Sequence, residues 1–129
     1  MEMQAQRKWA IVLIQFAALC GFIGTIIGSV MSGQENYALR PVHAHVELVG
    51  WLSVFAWGIF YYTVPITKGF LVKIQAITGL IGAFTLSLGM YLYNFYDETW
   101  TMVFFIVGGT ILLAAFFLFF IVTFFIKKQ

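Results

Sequence analysis

The chain has 129 residues, of which 62% are hydrophobic, 19% aromatic and only 9% charged, with a formal net charge of +2. A soluble domain carries about 25% charged residues, so a water-soluble globule is excluded, and the fifteen Phe call for lipid as their solvent. The few basic residues form no single patch, which argues against nucleic acid as a partner. The one cysteine, Cys20, rules out a disulfide framework and a thiolate cluster and reads as a small core residue.

A hydrocarbon core about 30 Å thick takes about 20 helical residues. Four apolar runs reach that length, at 9–31, 42–65, 72–93 and 100–126. Short connections make consecutive helices antiparallel neighbours, so the expected fold is all-α and integral to the membrane: one transmembrane domain of four helices over residues 1–129. The first run follows Arg7 and Lys8. It is longer than the 7–15 apolar residues of a signal peptide and lacks a small-x-small cleavage site, so it is expected to be retained. It carries Gly21, Gly24 and Gly28, the last two a small-xxx-small pair suited to close helix packing.

The second run holds the chemistry and is taken up below. On the third, Gln75, Gly79, Gly82 and Gly89 fall near one stripe when each residue advances about 100°. That stripe predicts either close helix contact or a groove for a planar ligand. The fourth, rich in Phe from Phe104 to Phe125, is expected to face lipid, with Gly108 and Gly109 marking a helix crossing. Arg7, Lys8, Lys68, Lys73, Lys127 and Lys128 collect on one side; Arg40 lies opposite with Glu35, Asp97 and Glu98. The positive-inside rule then places both termini in the cytoplasm. Trp9, Trp100, Tyr91, Tyr93 and Tyr96 stand near helix ends, as an aromatic belt requires.

His43 and His45, the only two histidines, open the second run, with Glu47 two residues on. Ionisable groups in a bilayer cost about 2.5–3.5 kcal/mol each and mark functional positions. Helix positions two apart point about 200° from each other, so the histidines cannot chelate one metal while both stay helical. They reach into two different spaces. Glu47 shares the face of His43 and is placed to hydrogen-bond it, and Gly50, Trp51, Val54 and Gly58 continue that side. Three readings follow. The histidines sit hydrated at the interface or cap the helix after Pro41; or His43, His45 and Glu47 form a copper or zinc site, given irregular backbone or a second subunit; or each imidazole is an axial ligand to a haem between helices. No phosphate-binding glycine loop, nucleophile elbow, zinc-protease motif or CxxC pair is present.

The stretch from His43 to Pro65 (HAHVELVGWLSVFAWGIFYYTVP) resembles the tenth helix of the haem-copper oxidase large subunit, with His43, His45, Leu48, Gly58, Phe60 and Pro65 in register. Phe60 to Pro65 is also similar to the end of the second helix in nitric oxide reductase large subunits, and small bacterial membrane proteins share the HAH…GW…P signature. The resemblance covers about one fifth of the chain. It implies one four-helix arc of a twelve-helix, three-arc ring, so a homotrimer would regenerate the ring. It further implies haem b, held by His43 and His45 as axial ligands, with Arg40 beside a propionate and Gly50, Trp51 and Gly58 along the cofactor wall. Glu47 would support a ligand or serve as an alternative metal ligand.

The implied location is a bacterial cytoplasmic (inner) membrane, with electron transfer or binding of O2 or NO as the role and a quinol or a cytochrome as electron donor. Orientation agrees: the histidines fall near the outer surface by the basic-residue rule, as in the resembled family. The chain departs from that family in lacking the three further histidines of its copper site, so an oxidoreductase reaction of the family type is not expected. No CxxCH motif is present, so a haem would be held non-covalently. Copper remains a second candidate metal. The rival reading is a non-catalytic accessory or assembly subunit of a respiratory complex, docking through its glycine faces.

Overall fold

The structure is a computed structural model describing residues 2–127, with side chains from residue 3 onward. It is all-helical: α1 Glu2–Gln34, α2 Arg40–Thr63, α3 Gly69–Tyr96 and α4 Thr99–Thr123. Each helix is long and apolar enough to cross a membrane, which makes this a multi-pass membrane protein. The helices coincide with the four expected runs, with differences at the ends that have physical causes. α1 begins ahead of residue 9 because Gln4, Gln6, Arg7 and Lys8 extend it by polar turns that hydropathy does not register. α2 stops at Thr63 because Val64 turns extended (φ −103°, ψ 116°), the conformation favoured before a proline.

α4 ends at Thr123 rather than 126 because the following backbone pairs with the α2–α3 connection. Thr67 N–H donates to Phe125 O at 2.9 Å and Lys127 N–H to Pro65 O at 3.0 Å. Lys128, counted with the basic end of the chain, lies outside the described residues. At the other end the turns are tight. Asp97 closes α3 in the left-handed region (φ 36°), and Thr101 Oγ1 then accepts the Glu98 N–H at 3.2 Å to start α4.

Two close helix pairs, α1 with α2 and α3 with α4, make up the bundle. Glycine sets the second pair. A Cβ on Gly82 would stand 2.7 Å from Leu112 Cα, one on Gly89 2.7 Å from Phe105 Cα, and one on Gly108 2.5 Å from Leu86 N, so the two backbones are in contact. Gly79 instead faces Trp57 of α2. The Gln75–Gly89 stripe is therefore filled by close packing and leaves no groove for a planar ligand. The expected crossing at Gly108 is present. On α4 a single stripe, Thr101, Gly108, Leu112, Ala115 and Val122, is buried, while Leu113 and Phe117, like Phe124 just past its end, are exposed.

The pairs join through a core of Leu13, Val54, Trp57, Tyr61, Val72 and Val122. Trp57 lies edge-on to Phe116 at 4.8 Å between centroids, and Phe119 packs against Trp57, Phe60 and Tyr61. Polar groups inside are satisfied locally. Tyr61 Oη donates to Gln75 Oε1 at 2.8 Å, and Gln6 Nε2 donates to Tyr61 O and Val64 O, each at 2.7 Å. Gln6 Oε1 accepts the Ile66 N–H at 3.1 Å. One α1 side chain thus ties off the backbone that α2 leaves unpaired at its end.

Candidate functional site

The polar cluster of α2 lies on a helix that changes pitch. Arg40–His45 is α-helical, Val46–Ser53 is a π-helix and Val54–Thr63 is α-helical again. Ser53 Oγ donates to Leu48 O at 2.8 Å, five residues back, in step with the wider turn. In an α-helix, residues four apart drift about 40° around the axis. The wider turn reduces that drift, so His43, Glu47 and Trp51 remain in line along one seam. Nothing in the residue pattern announces a π-helix; Gly50, within it, is the one mark.

Opposite that line stand the three α1 glycines, in antiparallel order. Gly28 faces the His43 ring, Gly24 the Glu47 carboxylate and Gly21 the Trp51 indole. A Cβ on Gly28 would stand 2.9 Å from His43 Cε1, and one on Gly21 3.1 Å from Trp51 Cδ2. Here glycine creates room for three large side chains between two helices, a different use from the backbone contact between α3 and α4. The same seam continues with Gly50 against Cys20 and Gly58 against Ile14 and the Ala10 backbone. Space beside Gly50 and Gly58 is therefore taken by α1. Gly21, Gly24, Gly28, Gly50, Gly58, Gly79, Gly82, Gly89 and Gly108 thus each meet a neighbouring helix of the same chain, whereas Gly33 meets nothing within 4 Å.

His43 Nδ1 lies 2.9 Å from Gly24 O, on the partner helix. His45 Nδ1 lies 2.9 Å from Pro41 O, four residues back on its own helix. A carbonyl can only accept, so both Nδ1 atoms carry the proton and both Nε2 atoms carry a lone pair in the neutral ring. Glu47 is not the hydrogen-bond partner of His43, although it occupies the same side; the Gly24 carbonyl takes that place. The two rings diverge, His43 into the α1–α2 seam and His45 along its own helix, as two-residue spacing demands. Among the described residues no three His, Cys, Asp or Glu side chains gather as a metal site.

Arg40, exposed at the start of α2, holds its guanidinium 5.2 Å from the Tyr37 ring centroid. Three grooves surround α2. A cavity of about 430 Å³ runs from Ala38, Pro41 and Val42 to Tyr93, Asn94 and Asp97. An apolar one of about 250 Å³ lies between Cys20, Val46 and Phe84. A third, of about 310 Å³, is lined by Ala18, Gly21, Phe22, Thr25, Glu47 and Trp51. Neither histidine lines any of the three.

The donor chemistry fits axial ligation of a haem: an imidazole fixed in orientation through Nδ1 by a backbone carbonyl, as both are here, is the arrangement in which ligating histidines are held. The grooves of one chain do not bring the two rings to a common space. No family model, curated protein or solved structure matches this chain.

Proposed function

We propose that the chain is a b-type haem-binding membrane protein in which His43 and His45 are axial ligands through Nε2, serving electron transfer or the binding of a diatomic gas. The observation that supports this most is the shared tautomer. Both imidazoles anchor Nδ1 on a carbonyl and keep an Nε2 lone pair for a metal. Because the rings diverge, one haem would take His43 from one chain and His45 from the next, which favours a homo-oligomer, a trimer by the arc resemblance. Arg40, at the same helix end, would pair with a propionate. The basic end, with Arg7, Lys8, Lys68, Lys73 and Lys127, argues for cytoplasmic termini in a bacterial inner membrane.

A haem supplies one-electron redox chemistry when six-coordinate and gas binding when one axial position is open. The protein contributes two fixed imidazoles, a low-dielectric surround and a cation for the propionate. Protein purified in detergent from haem-replete cells is expected to show a Soret band and, after dithionite, a sharp α-band. His43→Ala and His45→Ala should each remove the bis-histidine spectrum, and native mass measurement should give three chains. Absence of any haem spectrum would overturn the reading and leave the accessory-subunit alternative. Copper or zinc content without haem would favour the metal-binding alternative.

A further inference from the structure

The cavity of about 430 Å³ lies where α2 begins and α3 ends, at the bundle end away from Arg7, Lys8, Lys68, Lys73 and Lys127. Its walls are graded by depth. Tyr93, Asn94 and Asp97 form a polar rim, while Met90 stands one turn deeper along α3 than Asn94, and Val42 one turn deeper along α2 than Ala38. The Asp97 N–H closes α3 by donating to Tyr93 O at 3.1 Å. Its carboxylate, the Asn94 amide and the Tyr93 hydroxyl make no side-chain hydrogen bond among the described residues. The rings of Tyr93 and Phe105 line the same space, parallel within 5° and 6.4 Å apart between centroids. Phe105 reaches it because its Cα rests on Gly89, where a Cβ would stand 2.7 Å away.

Charge decides what this lining takes. Glu35, Asp97 and Glu98 outnumber the one cation of this end, Arg40, whose guanidinium lies on the Tyr37 ring. Among the described residues no Lys or Arg lines the cavity. An anion is therefore repelled, and a neutral ligand gains nothing from the Asp97 charge. An ammonium group gains from the carboxylate and from the aromatic faces together.

We propose that this cavity holds the ammonium headgroup of a zwitterionic phospholipid, paired with Asp97 and set against the Tyr93 and Phe105 rings. The position favours a lipid over a soluble amine. Tyr93, Tyr96 and Trp100 stand at the helix ends, the level at which aromatic residues and headgroups meet. The polar rim and the apolar floor of Val42 and Met90 follow the order of a headgroup and its ester-linked chains. None of these residues is a proposed haem ligand, so the site is independent of the haem reading.

The test uses the full-length protein in detergent, titrated with phosphatidylethanolamine or phosphatidylglycerol of the same acyl chains and read by native mass spectrometry. Wild type should take one phosphatidylethanolamine per chain at this site. Asp97→Asn keeps a residue that tolerates the left-handed backbone there (φ 36°) and removes only the charge. It should weaken phosphatidylethanolamine binding about tenfold and leave phosphatidylglycerol binding unchanged. Ala38→Leu, at an exposed position of the wall, should fill the cavity and abolish phosphatidylethanolamine binding while helix content stays unchanged.

Phosphatidylethanolamine affinity unchanged in either variant would overturn the proposal, as would equal weakening of both lipids by Asp97→Asn. A hundredfold excess of soluble glycerophosphoethanolamine separates the sources of the ammonium group. Lipid that stays bound supports the phospholipid assignment, and lipid displaced by the soluble headgroup overturns it.

Discussion

His43 Nδ1 and Gly24 O, 2.9 Å apart, join α2 to α1 across a seam inside the membrane-spanning region. The contact exists because the Gly28 and Gly24 positions, one turn apart on α1, carry no side chains where the His43 ring and the Glu47 carboxylate enter. An imidazole held this way has its tautomer chosen and its rotation limited before any ligand arrives. His45 obtains the same Nδ1 anchor from its own helix, without help from α1.

That difference separates the histidines in a haem-free protein. His43→Ala should lower unfolding stability by about 1–2 kcal/mol, from a lost hydrogen bond and lost packing on Gly28. His45→Ala should stay within about 0.5 kcal/mol of wild type. Thermal unfolding in detergent compares them, and an equal or reversed order would contradict the seam geometry.

Glycine positions on α1 should divide sharply. Gly24→Ala puts a methyl where the Glu47 side chain lies, so that side chain must swing out of the seam, with a loss of about 1 kcal/mol. Gly33→Ala meets nothing within 4 Å and replaces a poor helix former, so it should be neutral or stabilising by up to about 1 kcal/mol. The same unfolding assay reads both, and equal effects would show that Gly24 does not sit opposite Glu47.

Tyr61 and Gln75 should behave as one unit. Tyr61→Phe leaves Gln75 Oε1 buried without its donor, at a cost of about 1–3 kcal/mol, and Gln75→Leu leaves the Tyr61 hydroxyl in the same position. The pair changed together should cost less than the sum of the two, by at least about 0.5 kcal/mol. Strict additivity in this double-mutant cycle would mean that the bond across α2 and α3 does not form.

Gln6→Leu removes three hydrogen bonds that close the end of α2, to Tyr61 O, Val64 O and Ile66 N. Hydrogen exchange should accelerate at the amides around Ile66, while those of Val46–Ser53 remain as in wild type. Uniform acceleration along α2 would instead place Gln6 in a global role.

Much of this architecture was legible in the residues. Hydropathy located all four spans because a bilayer imposes a length on every crossing helix, and two-residue spacing already required that His43 and His45 diverge. Gly79, Gly82 and Gly89 read as a packing stripe, and their neighbours proved to be Trp57, Leu112 and Phe105. Gln6 was not legible as a functional position. It precedes the apolar run, and its three partners are 55 or more residues away.

By itself, the order of residues determined the solvent, the number of crossings and the grouping of His43, Glu47 and Trp51 on one side of a helix, because these follow from hydrophobicity and local periodicity. Only the tertiary structure decided what that side meets. The π-helical stretch Val46–Ser53 appears only in the folded chain, and within it Glu47 and Trp51 stand, with His43 ahead of them, opposite Gly24, Gly21 and Gly28. The partner of each imidazole was likewise decided there. An Nδ1 proton goes to whichever carbonyl the packed backbone presents, and for His43 that carbonyl belongs to a residue 19 positions away.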